Sequence, residues 1–170
     1  LYLLASAKSK GKKIEFKGEE FIVEDLADFD FSKVHIGLFS PGGKISAEFA
    51  PKAAKAGCIV IDNTSHFRMQ NNVPLIVPEV NPNALKEFFQ DDKRTNIISN
   101  PNCSTIQMVV ALKPLHEKSI INRIVVSTYQ AVSGAGKIGM DELFNQTQNI
   151  YANQEVKKDK FTKQIAFNAV

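Results

Sequence analysis

The chain is 170 residues long, 44% hydrophobic and 23% charged, with a formal net charge of +3. That is enough apolar content to bury a core in one or two domains, which excludes a disordered chain. No apolar run approaches the roughly 20 residues that span a bilayer, the lysines are scattered among acids, the two cysteines give neither a disulfide framework nor metal-ligand spacing, and no secretory leader is expected ahead of the first strand. The expectation is a cytoplasmic protein with no membrane, nucleic-acid or metal partner.

Taken in chain order, Leu1-Tyr2-Leu3-Leu4 reads as a strand, and residues 13–24 alternate with period two about Gly18, the pattern of a hairpin. A strand over residues 34–39, which includes His35, runs into the tight-turn sequence Ser40-Pro41-Gly42-Gly43. Residues 44–56 predict a helix that exits at Gly57. Cys58 then opens a buried strand, where packing explains it better than chemistry. A short helix starts at Pro82 and runs to Phe89, and Arg94-Thr95-Asn96-Ile97-Ile98-Ser99 predicts a short buried strand. Helices between strands supply crossovers, so the fold class is α/β with a mainly parallel sheet.

Asn100-Pro101-Asn102 is turn chemistry that stops this last strand, and Ser104 and Thr105 lead into an apolar stretch, residues 106–112, that suits a buried helix. Cys103 therefore falls at a helix start. Unpaired backbone N–H groups and the positive end of the helix dipole stabilise a thiolate there, and the same groups can hold an oxyanion formed when a carbonyl is attacked. Position alone leaves an inert buried cysteine open as the alternative. Downstream, Arg123-Ile124-Val125-Val126-Ser127-Thr128-Tyr129 has a strand pattern and runs into Gln130-Ala131-Val132-Ser133-Gly134-Ala135-Gly136-Lys137, whose Ser-Gly-x-Gly turn lets backbone approach a flat or anionic ligand. Residues 140–153 read as a helix, and residues 154–160 are polar enough for a mobile linker.

The segments Ser99-Asn100-Pro101-Asn102-Cys103-Ser104-Thr105-Ile106-Gln107-Met108 and Val126-Ser127-Thr128-Tyr129-Gln130-Ala131-Val132-Ser133-Gly134-Ala135-Gly136 resemble the signature blocks of the bacterial aspartate-β-semialdehyde dehydrogenases. The resemblance extends, in order, through Ala5-Ser6-Ala7-Lys8-Ser9, Asp62-Asn63-Thr64-Ser65-His66-Phe67-Arg68, Val77-Pro78-Glu79-Val80-Asn81 and Ile165-Ala166-Phe167-Asn168-Ala169. It implies reductive dephosphorylation of β-aspartyl phosphate to L-aspartate-β-semialdehyde with NADPH, in the biosynthesis of lysine, threonine, methionine and diaminopimelate. By the same matching Cys103 carries an acyl-thioester and Gln130 orients the substrate or acyl-enzyme. Arg68 matches the arginine that grips the leaving phosphate, where the bare sequence would read it as a surface residue. Asn102 adds a substrate or phosphate contact or serves only the turn.

For the cofactor, Ser6, Lys8 and Ser9 place hydroxyls and a cation where a doubly wound fold meets the adenosine ribose, which favours a 2′-phosphate and hence NADP; a solvated basic loop is the alternative. Many relatives carry arginine where this chain has Lys8. Ser40 and Gly42 are expected near the cofactor phosphates, with a plain tight turn as the competing reading, and Ser133 and Gly134 are assigned to the cofactor as well. The family opens with a strand, a glycine-rich loop and a helix, whereas this chain begins in what corresponds to the second strand and stops at Ala169-Val170, before the family's catalytic histidine. The expected architecture is a Rossmann-like sheet lacking its first βα unit over residues 1–118, followed by the start of an α+β catalytic and dimerisation domain over residues 119–170. A homodimer or homotetramer is implied, and the 170 residues alone are expected to be inactive. His35, in a strand, His66, in the loop before Arg68, and His116, after a helix, match no catalytic position of the family. Two other readings compete: an N-acetyl-glutamyl-phosphate reductase, which lacks the Ser-Thr-Tyr-Gln-Ala block, and a non-catalytic oligomerisation module.

Overall fold

Strand β1 (Leu3–Ala5) opens the structure, a computed structural model that describes residues 1–91 and 94–170. It pairs in parallel with β3 (Glu19–Asp25), which forms an antiparallel hairpin with β2 (Lys13–Phe16). The hairpin turns at Lys17 and Gly18, both at positive φ (53° and 79°), as a two-residue turn matched to right-handed strand twist requires. The hairpin expected about Gly18 is therefore present.

A second sheet holds β4 (Ile36–Phe39), β5 (Ile59–Asp62) and β6 (Ile97–Ser99) in that order, all parallel. The crossover from β4 to β5 is helix α1 (Gly43–Lys55). Its inward residues Ser46, Ala50, Ala53 and Ala54 recur at helical spacing and are small, so the helix lies close on the sheet. It ends where Gly57, at φ 95°, takes the left-handed conformation that turns the chain into β5. Between α1 and the sheet lies the main core, with Val60 and Cys58 fully enclosed among Phe31, Phe39, Phe67 and Ile97. Burying each such side chain contributes on the order of 1.5–3 kcal/mol. On the opposite face Ile76 and Ile98 pack with Phe88 of α2 (Pro82–Gln90), which starts at proline as the sequence predicts. Strands β5 and β6 are thus sandwiched between helices, confirming the α/β class.

The structure departs from the sequence-based expectations in several places. Strand β6 is three residues, not six, because Asn96 sits at φ 56° and spends its side chain on Ala54 O (3.4 Å) and Arg94 Nε (3.0 Å). His35 lies just before β4 rather than in a strand, its carbonyl accepting from Ile59 N–H (2.8 Å). Helix α3 (Cys103–Lys118) contains His116, whose Nδ1 accepts from Ile121 N–H (3.1 Å). No residue of α3 is buried, contrary to the expected buried helix, because its apolar residues ring the helix and the described chain covers only part of that ring.

The chain divides into two compact units, Leu1–Asn122 and Arg123–Val170. In the second, residues 123–129 form no strand: among the described residues nothing pairs with them, and β propensity without a partner ladder does not fix a strand. A 3-10 turn over Val132–Ala135 leads into α4 (Gly136–Tyr151), which starts four residues earlier than predicted. Residues 154–160, read from sequence as a mobile linker, are pinned by two buried side chains of α4. Glu142 accepts from the N–H groups of Asp159 (3.2 Å), Lys160 and Phe161 (3.4 Å), and Gln146 donates to Lys157 O (2.8 Å). Gln146 Oε1 also accepts from Ile165 N–H (2.9 Å) and Ala166 N–H (3.1 Å).

Candidate active site at the strand ends

In a parallel sheet the C-terminal strand ends and the loops after them form the ligand crevice. Here the ladder continues past the strands themselves: Asn63 N–H donates to Phe39 O and Asn100 N–H to Asp62 O, each at 2.8 Å. Three loops are thereby held at one edge, beginning at Ser40, Asn63 and Asn100.

The loop from Asn100 carries the cysteine. Buried Pro101 removes a ladder donor and ends β6, and Asn102 takes an extended conformation as N-cap, its Oδ1 accepting from Ser104 N–H (3.0 Å). Cys103 is the first helical residue and is exposed. Its Sγ lies 3.9 Å from Asn102 Oδ1. Cys58 is the opposite case: it is wholly enclosed in the core, and burial pushes its thiol pKa up.

Arg68 reaches across from the middle loop. Its Nε donates to Asn100 O (2.9 Å) and its Nη2 to Asn63 O (3.1 Å), so the guanidinium ties the β5 end to the β6 end, three residues before Cys103. Both partners are neutral carbonyls, and Arg68 has no carboxylate partner among the described residues. Its positive charge and remaining N–H groups stay available to an anion. His66 lies in the same loop and packs edge-on against Phe67.

The structure thus brings Arg68, Asn102 and Cys103 onto neighbouring loops. Gly42, at φ 95°, caps the N-terminus of α1 with open space where a Cβ would stand, and Ser40 just before it is exposed. Ser6 is exposed ahead of the 3-10 turn Ala7–Ser9, where Ser9 N–H donates to Ser6 O (2.8 Å), and Lys8 is exposed without an ion pair among the described residues. Gln130, Ser133 and Gly134 lie in the second unit and are all exposed, Gln130 donating to Thr128 Oγ1 (3.2 Å). A cleft of about 380 Å³ lined by residues such as Phe67, Arg94 and Asn96 lies by the start of β6, and Cys103 is not among its lining residues.

Sequence reasoning missed two features. Gly134-Ala135-Gly136-Lys137-Ile138-Gly139 has Gly-x-Gly-x-x-Gly spacing, but no strand precedes it. Gly139 has a packing reason instead, since a Cβ there would stand 2.7 Å from Ala135 Cβ. The other feature is Asp62, fully buried at the end of β5, for which an acid closing an apolar strand was the available signal.

A parallel sheet between helices, with glycine, arginine and cysteine on the loops at its strand ends, belongs to the Rossmann-like dinucleotide-binding class. Residues 1–88 match the model of the semialdehyde dehydrogenase NAD-binding domain and residues 112–170 that of the semialdehyde dehydrogenase dimerisation domain; the chain belongs to the semialdehyde dehydrogenase family. It is 54% identical over its whole length to aspartate-semialdehyde dehydrogenase 2 of Vibrio cholerae, covering 49% of that protein. The solved structure of aspartate semialdehyde dehydrogenase II from Vibrio cholerae, complexed with ASA, superposes with a TM-score of 0.86 at 54% identity, over 98% of this chain and 48% of that one. The enzyme from Candida albicans solved with NADP is similar at 25% identity and a TM-score of 0.57, over 71% and 40%. The chain spans about half the length of the curated relatives it matches. The resemblance seen in the sequence blocks is confirmed.

Proposed function

We propose that this chain forms part of an NADP-dependent aspartate-semialdehyde dehydrogenase, interconverting β-aspartyl phosphate and L-aspartate-β-semialdehyde in aspartate-family amino-acid biosynthesis. The observation that carries the reading is Cys103, exposed at the first position of α3, beside a loop on which Arg68 holds an uncompensated positive charge.

The Cys103 thiolate attacks the acyl carbon of the substrate; the C–S bond forms, the C–O bond to phosphate breaks, and phosphate departs against the Arg68 fork. N–H groups at the start of α3 lie where an oxyanion develops on that carbon. Asn102 caps the helix and contacts substrate or phosphate, and Gln130 orients the acyl group through a neutral amide. NADPH, when bound, supplies the hydride that reduces the thioester to the aldehyde and frees Cys103. The residues fit such a cofactor: the Gly42-capped start of α1 offers N–H groups to phosphate with Ser40 beside it, and Ser6, Lys8 and Ser9 suit a ribose 2′-phosphate. Ser133 and Gly134 complete the cofactor contacts. The nucleotide-binding part ends near residue 118, and the match of residues 112–170 to a dimerisation domain supports a homodimer or homotetramer. No helix among the described residues is long and apolar enough to cross a membrane, which agrees with a cytoplasmic enzyme.

The test is phosphate-dependent reduction of NADP with aspartate semialdehyde, in a protein of the relatives' length, comparing the parent with Cys103→Ala. The alanine variant is expected to lose at least about a thousandfold in kcat; equal turnover would overturn the nucleophile assignment.

A further inference from the structure

Asp62 is buried, carries no cation partner among the described residues, and plays no part in the chemistry above. Its surroundings are specific. Oδ1 accepts from Ser46 Oγ (2.6 Å), in the first turns of the helix that follows the Ser40–Gly42 loop, and Oδ2 accepts from Thr64 Oγ1 (2.7 Å), in the loop that carries Arg68. Thr64 Oγ1 in turn accepts from His66 N–H (3.3 Å). The backbone carbonyl of Asp62 accepts from Asn100 N–H (2.8 Å), at the head of the cysteine loop. One residue therefore touches the helix that follows the first loop and both of the other two loops at the strand ends.

The carboxylate fixes the sense of each bond. Both hydroxyls donate to the carboxylate oxygens, and Thr64 Oγ1 keeps a lone pair for His66 N–H. An asparagine would put an N–H₂ against one of the two hydroxyls and break that arrangement. Two residues beyond His66, Arg68 bonds Asn63 O and Asn100 O, the carbonyls of the residue that follows Asp62 and of the residue whose N–H Asp62 O accepts.

We propose that Asp62 is a positioning residue which, through Thr64, presets the Arg68 guanidinium beside the cysteine loop as a receptor for inorganic phosphate. This rests on the reading of Arg68 as the phosphate-gripping residue. A residue that only held the sheet together would affect every kinetic constant alike, whereas a residue that aims Arg68 acts selectively on phosphate.

The experiment measures KM for phosphate, KM for aspartate semialdehyde and kcat in the relative-length protein for Asp62→Asn, Thr64→Val, Thr64→Ser, Arg68→Ala and Thr64→Val with Arg68→Ala. Thr64→Val, which leaves the buried acid in place and guards against a misfolded Asp62→Asn, is expected to raise the phosphate KM about tenfold with kcat within about threefold; Thr64→Ser restores the parent value. Adding Thr64→Val to Arg68→Ala is expected to raise the phosphate KM no further. The proposal is overturned if Arg68→Ala raises the phosphate KM while Thr64→Val leaves it unchanged, or if Thr64→Val shifts all three constants alike. If Arg68→Ala leaves the phosphate KM unchanged, the reading of Arg68 fails first and takes this proposal with it.

Discussion

The two units are held by different forces. In Leu1–Asn122 the enclosed groups are mostly apolar, with Val60, Cys58, Ala50 and Ala53 packed between sheet and helix. In Arg123–Val170 the buried groups with long side chains are Glu142 and Gln146, which gather backbone N–H groups from residues 159–166. Area removed from water stabilises the first and tolerates modest changes of shape. Hydrogen bonds to one carboxylate and one amide organise the second, and their loss strands several donors at once.

The contrast is broken most severely by Glu142→Ala, which leaves the N–H groups of Asp159, Lys160 and Phe161 without their acceptor. A loss of about 3–4 kcal/mol is expected in the second unit, read as faster amide exchange over residues 157–166 with the strands of the first unit unchanged. Val60→Ala is the reciprocal probe: a cavity in the apolar core costs about 2 kcal/mol, lowers protection of β4, β5 and β6, and leaves residues 157–166 as they were. Third in size is an alkaline effect from Cys58. Its folded-state pKa is raised by burial, so the unfolded chain loses the thiol proton first and stability falls as pH rises through the ordinary thiol range. Chemical denaturation across that range should show a flatter decline in Cys58→Ala, while an alkylating reagent modifies Cys103 in the native state and reaches Cys58 only on opening. The smallest effect is expected from Ser99→Ala. Its Oγ is buried with no hydrogen-bond partner among the described residues, so the unfolding free energy from chemical denaturation should change by less than about 0.5 kcal/mol.

The same contrast governs what could be read from the sequence. Local patterns carried the first unit: period two with Gly18 gave the hairpin, Gly57 the exit from α1, Pro82 the start of α2, and the turn residues Asn100-Pro101-Asn102 the helix start at Cys103. They failed where structure depends on a distant partner. Residues 123–129 have strand composition and, among the described residues, no ladder to join, and residues 154–160 look like a linker because the side chains that pin them sit on another element. The link between Ser46 and Asp62 spans 16 positions and follows no period. At the site, the cysteine at a helix start was legible, and the neutral carbonyls that hold Arg68 were not.

The Glu142 clasp also bears on how the second unit forms. Its bonds to Asp159, Lys160 and Phe161 join positions only 17–19 apart, and Gln146 reaches Ile165 and Ala166 at separations of 19 and 20. Closing so short a loop carries little entropy cost and takes well under a microsecond. The acceptors on α4 precede in sequence every donor they bind, so the segment after α4 needs only to fold back onto a helix already complete. The Arg123–Val170 unit can therefore acquire its shape without waiting for contacts from far along the polypeptide.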